Sequence, residues 1–241
     1  MRLPWYWSLK ALGTLIRVHT IRVTWIGQEN LAKTGPFVLA CSHVSHFDPP
    51  FLSVLLPGRI DWMARDAFWE HAFGRFILPR LGAFPVKRFD GVPVRAMRTA
   101  IDRLAAGRVV GIFPEGGVMH GNGSVFFGGP IKGGAAFVAR HANVPIVPLT
   151  ILGTPSFTQV GPWLPARRGR LWINIGEPIR PDPTIQPRRL ARRDMTERLR
   201  WRFIEMYREL RATCPEMTDA AHGGSSSITD RATPLAIASR A

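Results

Sequence analysis

Short apolar runs bounded by turn residues alternate along this chain with stretches of helical spacing, the pattern expected of helices packed on a sheet. Residues 3–18 place Trp5, Leu9, Leu12, Leu15 and Ile16 close to one side of a helix, interrupted by Lys10 and Arg17. The alternation of Ile21, Val23 and Trp25 predicts a strand over 20–26, ended by Gly27. Residues 37–41, Phe-Val-Leu-Ala-Cys, read as a buried strand, and further strands are expected over 60–64, 82–88, 108–113, 144–152 and 171–175. Pro145 and Pro148 suit an edge position or a bulge, because proline donates nothing to a ladder. Helices are expected over 66–78, rich in aromatics, over 92–106, and over 132–141 with Ala135, Ala136 and Ala139. After the last strand, Leu199, Phe203, Met206, Tyr207 and Leu210 form one apolar stripe on an arginine-dense helix. Past Thr213 the pattern stops, and Gly223 to Ser227 carry no periodic apolar positions, as in a disordered tail.

These elements fit one α/β domain with a mixed, mostly parallel sheet flanked by helices; 241 residues are too few for two comfortable cores. The expected partition is an N-terminal helix and first strand over 1–26, the main domain over 27–212, and a tail over 213–241.

In such sheets ligand sites form at the carboxyl ends of the strands. The 37–41 strand delivers Ser42-His43-Val44-Ser45-His46-Phe47-Asp48 to that edge, followed by Pro49, Pro50 and an apolar run. Asp48 falls where a helix N-cap is expected, so His43 and Asp48 face each other across a turn. A carboxylate on one imidazole nitrogen fixes the tautomer and frees the other to take a hydroxyl proton. The 82–88 strand runs into Lys87 and Arg88. The 108–113 strand runs into Phe113-Pro114-Glu115-Gly116-Gly117, a turn whose amides can surround an anion. This turn matches neither a Walker A loop nor a dinucleotide fingerprint. Cys41 and Cys214 are far apart with no metal-binding spacing, and Cys41 reads as a small core residue.

Lys and Arg outnumber Asp and Glu by 32 to 17, a net charge of +15 that calls for an anionic partner. Eight Trp and fourteen Phe beside that charge point to a membrane interface. The 3–18 helix is too interrupted to span a bilayer and reads either as an in-plane interfacial helix or as one packed on the domain's own core. Its charges also argue against a signal peptide.

Together the strand-end blocks resemble the glycerophosphate and lysophosphatidate acyltransferase (PlsC-like) family: His43 and Asp48 in a His-x4-Asp box, 82–88 as the second block, Phe113-Pro114-Glu115-Gly116 as the third, and 144–148 as the fourth. The resemblance covers about residues 35–155 and implies a glycerol-3-phosphate acyltransferase-like fold. It implies His43 and Asp48 as the catalytic pair, with Lys87, Arg88, Phe113, Pro114, Glu115 and Gly116 binding substrate. It further implies a fatty acyl group moved from acyl-CoA or acyl carrier protein to a lysophospholipid, most simply 1-acyl-sn-glycerol 3-phosphate, at the cytoplasmic membrane face, with no cofactor, metal or nucleic acid. Where the family's third block continues with Thr-Arg-Ser, this chain has Gly117, Val118 and Met119. The second phosphate-binding arginine is therefore missing, leaving Lys87 or Lys132 to replace its charge or the acceptor to be something other than a phosphomonoester. Two rival classes are a metal-dependent hydrolase built on His43, His46 and Asp48, and a non-catalytic basic binder of membrane or nucleic acid.

Overall fold

The computed structural model describes residues 3–32, 35–87, 93–157 and 169–217. The chain runs α1 (Leu3–Thr20), β1 (Ile21–Ile26), the single turn α2 (Glu29–Ala32), β2 (Val38–Cys41), α3 (Asp48–Leu55) and β3 (Ile60–Arg65). It continues with α4 (Ala72–Ile77), β4 (Phe84–Val86), α5 (Val94–Ala105), β5 (Val109–Ile112), α6 (Gly134–Ala142), β6 (Ile146–Leu152), β7 (Gly169–Ile175) and α7 (Arg188–Thr213). The seven strands form one sheet in the order β1-β7-β6-β2-β5-β3-β4. Every pairing is parallel except β6 with β7.

Burial on both faces explains why the central strands read as continuous apolar runs. β2 and β6 have no exposed residue. On one face α5, α6 and α7 close over Val38, Ala40, Val110 and Ile146. On the other, α3 covers Leu39, Cys41, Val147 and Leu149 with Leu52, Leu55 and Leu56. The apolar stripe of the arginine-dense α7 is core: Leu199, Phe203, Met206, Tyr207 and Leu210 are all buried. Burying such a side chain contributes about 1.5–3 kcal/mol.

Three expectations change, and one open choice is decided. Of the edge or bulge expected from the prolines, the structure has the bulge, in a central β6. Ile146 bridges Ile179 while Leu149 pairs with Ile175, so three steps on β6 face four on its partner, and Pro148 falls in that irregularity. The aromatic helix over 66–78 is broken into a 3₁₀ turn at Asp66–Trp69 and the short α4. A β carbon on Gly74 would sit 1.7 Å from the Phe68 carbonyl oxygen, so the two pieces fold directly onto each other. β1 pairs with β7 along its whole length and belongs to the main domain rather than to a separate N-terminal unit. Cys214 and Met217 are buried in the core beneath α7, so the domain continues beyond residue 212; residues 218–241 of the expected tail lie outside the described residues.

The helix α1 answers the choice between interfacial and packed with a division of faces. Tyr6 is buried, and its hydroxyl accepts from the Ile60 N–H. The Lys10 ammonium donates to the carbonyls of Leu56 and Gly58, and a β carbon on Gly13 would strike Val54 of α3. Trp5, Trp7, Leu12 and Leu15 point outward, and Trp5 meets the exposed Phe76 of α4 edge to face at 6.3 Å. No helix among the described residues is long and apolar enough to cross a membrane.

Candidate active site

β2 ends at Cys41, and the next residues turn tightly around one carboxylate. Asp48 is wholly buried. Its Oδ2 accepts from the backbone N–H groups of Val44 and Ser45 and lies 2.9 Å from His43 Nδ1. Its Oδ1 accepts from the Thr154 hydroxyl at 2.5 Å. Asp48 is the first residue of α3 rather than its N-cap: Phe47 holds the cap position, and the carboxylate reaches back to the turn instead of forward into the helix. Pro49 and Pro50 then occupy the first turn, where a missing N–H costs nothing.

Both oxygens of Asp48 serve as acceptors, which leaves Nδ1 of His43 as the protonated ring nitrogen and Nε2 as the one able to accept. No described residue hydrogen-bonds to Nε2. His43 is mostly enclosed, with 12% of its side chain exposed. Its ring stacks on Phe113 at 4.1 Å, and Phe113 stacks on Trp62 at 5.0 Å. Trp62 in turn donates its indole N–H to Ser53 on α3 and fills the space above Gly111, where any β carbon would lie 2.3 Å from the indole. A glycine in the middle of β5 thus sets the aromatic wall that fixes the histidine plane.

Glu115 holds the second loop against the first. It is buried, its Oε2 accepts from the His43 N–H at 2.7 Å, and its Oε1 accepts from the Val125 N–H at 3.0 Å. Burial pushes its carboxyl above the ordinary range, while those two amides, the His43 charge and Ser124 pull it down. Met119 N–H donates to the His43 carbonyl at 3.0 Å, so the 117–119 segment runs alongside the histidine. Gly116 has φ +78°, and the Lys132 side chain lies where its β carbon would be, with Nζ 2.8 Å away. Pro114 is buried, and its carbonyl accepts from the Lys132 N–H.

Of the residues singled out from sequence, His43, Asp48, Phe113 and Glu115 touch one another, with Pro114 and Gly116 shaping the turn between them. Lys87 is exposed at the end of the outermost strand β4, with β3 and β5 between it and β2; Arg88 lies outside the described residues. Thr154 went unnoticed, although it follows the end of β6 just as His43 follows β2. Cys41 is fully buried, and burial with the neighbouring Asp48 charge drives its thiol well above the normal range, so it is no nucleophile. His46 is exposed, and among the described residues no three His, Cys, Asp or Glu side chains cluster in a way that could hold a metal ion.

The chain has relatives among known proteins. The chain is 31% identical over 185 residues to the 1-acyl-sn-glycerol-3-phosphate acyltransferase of Bacillus subtilis, covering 76% of this chain and 87% of that one. It is 28% identical to the enzyme of the same name from Helicobacter pylori, covering 76% of this chain and 77% of the relative. The crystal structure of the 1-acyl-sn-glycerophosphate acyltransferase PlsC from Thermotoga maritima shares the fold, with a TM-score of 0.58 at 21% identity over 85% of this chain and 78% of that one. Residues 22–152, from β1 to the end of β6 and including the His43 turn, match the family model described as Acyltransferase, and the chain belongs to that family of O-acyltransferases.

Proposed function

We propose that the protein moves a fatty acyl group from an acyl-CoA or acyl carrier protein thioester to the free hydroxyl of 1-acyl-sn-glycerol 3-phosphate, giving phosphatidate, with His43 as general base. The observation that carries this reading is the 2.9 Å contact between His43 Nδ1 and the buried carboxylate of Asp48. In the step, Nε2 takes the hydroxyl proton as the oxygen bonds to the thioester carbon. The carbon–sulfur bond then breaks, and the leaving thiolate takes the proton back from the imidazolium. The acceptor hydroxyl attacks directly, so no enzyme nucleophile is needed. Asp48 holds the tautomer and stabilises the imidazolium while it lasts.

The outward Trp5, Trp7, Leu12 and Leu15 of α1, continued by Phe73 and Phe76 of α4, support a peripheral seat on the cytoplasmic membrane face, with the lipid acceptor entering from that side. Because Tyr6 and Lys10 anchor α1 to the domain, deleting the helix would confuse docking with folding. Trp5→Glu with Trp7→Glu separates them: vesicle binding should fall sharply with little change in Tm.

A second reading of the acceptor rests on Val118, which stands next to the residue whose N–H binds the His43 carbonyl. A neutral or diester lysolipid would need no second phosphate-binding arginine there. Steady-state kinetics with acyl-CoA and a panel of lysolipids decides. If lysophosphatidate is the acceptor, Arg88→Ala raises its KM about tenfold to a hundredfold, and Val118→Arg improves its use. An unchanged acceptor KM in Arg88→Ala with good turnover of a neutral lysolipid rejects the phosphomonoester and leaves the His43 chemistry standing.

A further inference from the structure

On the face opposite α1, a cleft of about 550 Å³ opens between the start of α6 and the first turns of α7. Its wall carries three guanidinium groups, Arg189, Arg192 and Arg193, beside Gly133 and Thr196. None of the three forms an ion pair among the described residues. The one carboxylate on the wall, Glu197, lies 3.6 Å from Arg200, which faces away toward the Gly128 carbonyl. Farther along α7 the pattern is different: Arg198 meets Asp194, and Arg202 meets both Glu205 and Glu209. Three exposed arginines with no carboxylate partner among the described residues thus share the wall of one concavity, and a polyanion seated there would stabilise all three.

The cleft does not contain His43, yet it is joined to it by a short physical path. Gly133 on its wall follows Lys132, whose side chain lies against Gly116, and the adjoining Glu115 holds the His43 N–H. The concavity has the size of a small-molecule site. A ligand with phosphates at one end and a reactive thioester an arm's length away would span this path.

We infer that the Arg189, Arg192 and Arg193 cleft binds the phosphorylated nucleotide head of an acyl-CoA donor, placing donor and acceptor on opposite sides of the His43 turn. The inference rests on the acyl-transfer reading above for its purpose but not for its binding test. The nucleotide head stays on the face away from the exposed aromatics of α1, and the pantetheine arm runs past Lys132 to bring the thioester to His43.

The test uses the full chain and a variant with Arg189→Gln, Arg192→Gln and Arg193→Gln together. All three are exposed and should leave Tm unchanged. Calorimetry with coenzyme A itself should show binding that weakens with salt, weakens with 3′-dephospho-coenzyme A, and drops at least tenfold in the variant. In kinetics, the KM for a long-chain acyl-CoA should rise at least tenfold while kcat at saturating donor and the acceptor KM stay within about twofold. Coenzyme A binding equal in wild type and variant, or no binding to either, overturns the assignment. So does an unchanged acyl-CoA KM with a raised KM for acyl carrier protein, which would give the cleft to an acidic protein carrier. Arginine-dependent coenzyme A binding without turnover of any acyl-CoA upholds the cleft and rejects the acyl-transfer reading instead.

Discussion

Among the described residues two aspartates are completely buried, and they differ in what surrounds them. Asp48, at the carboxyl edge of the sheet, meets two backbone amides, one hydroxyl and one imidazole. Asp61, near the opposite end of β3, meets three guanidinium groups. Its Oδ1 accepts from Arg59 Nε at 3.1 Å, and its Oδ2 lies 2.8 Å from Arg108 and 3.2 Å from Arg103, close enough to pair but not aligned as hydrogen bonds. Around Asp61 all the countercharges are permanent, so the cluster can pass no proton. It ties β3 to the start of β5 and the last turn of α5, and Arg103 also reaches the Gly82 carbonyl. Around Asp48 the donors are neutral, so in the proposed mechanism its charge remains available for the imidazolium formed during reaction. Burial is common to both acids; what separates them is that Asp61 is matched by permanent charges and Asp48 by a ring that can gain one.

The largest effects should come from breaking the first site. His43→Ala should reduce kcat by roughly 10²–10⁴-fold with Tm nearly unchanged. Asp48→Asn should come close to it, because an amide nitrogen turned toward Nδ1 reverses the tautomer. If both variants keep activity within about tenfold, roughly 1.4 kcal/mol of barrier, the base assignment fails. Asp61→Asn should show the converse: a loss of about 3–5 kcal/mol in urea unfolding, since three arginines lose their buried partner, with kcat of the folded enzyme little changed below its melting range. A large fall in kcat at intact stability would erase the distinction between the two acids. Thr154→Val should be milder, near tenfold in kcat, because one donor to a carboxylate is lost while the imidazole remains.

Much of this was legible from sequence because the relevant physics is local. A short apolar run fixes β2, and the His-to-Asp spacing fixes a turn that brings the two side chains together. What could not be read depends on how segments meet in space. The choice of a bulge for Pro148 depends on an irregularity supplied by residues 176–179, and the break between Trp69 and Ala72 depends on Gly74 lying against the Phe68 carbonyl. Thr154 and Asp48 are 106 residues apart and meet only because β6 lies beside β2. Glu115 could be placed in the site by its position after β5, but its occupation by the amides of His43 and Val125 could not be read from any pattern along the chain.

Glu115 is the third buried acid and allows the finest test of the comparison, since its partners are also neutral but include no ring that changes charge at its oxygens. Burial raises its carboxyl above the usual value of 4.5 in the folded protein. Between that value and the raised one, the folded state holds more proton than the unfolded chain, so stability from this group is fully present below about pH 4.5 and lost as pH rises through the folded value. Glu115→Gln removes the titration, and it also leaves one of the two amides without an acceptor, because a glutamine side chain offers only one oxygen. The wild type should therefore gain on the variant as pH falls from 7 toward 4.5 in urea unfolding, on top of a constant difference from the lost acceptor of about 1–3 kcal/mol. Activity should change less than in Thr154→Val, because Glu115 touches the backbone of His43 and not its ring. A wild-type-minus-variant difference that stays flat across this range would mean that the amides and neighbouring groups cancel the effect of burial and leave the carboxyl at its ordinary value.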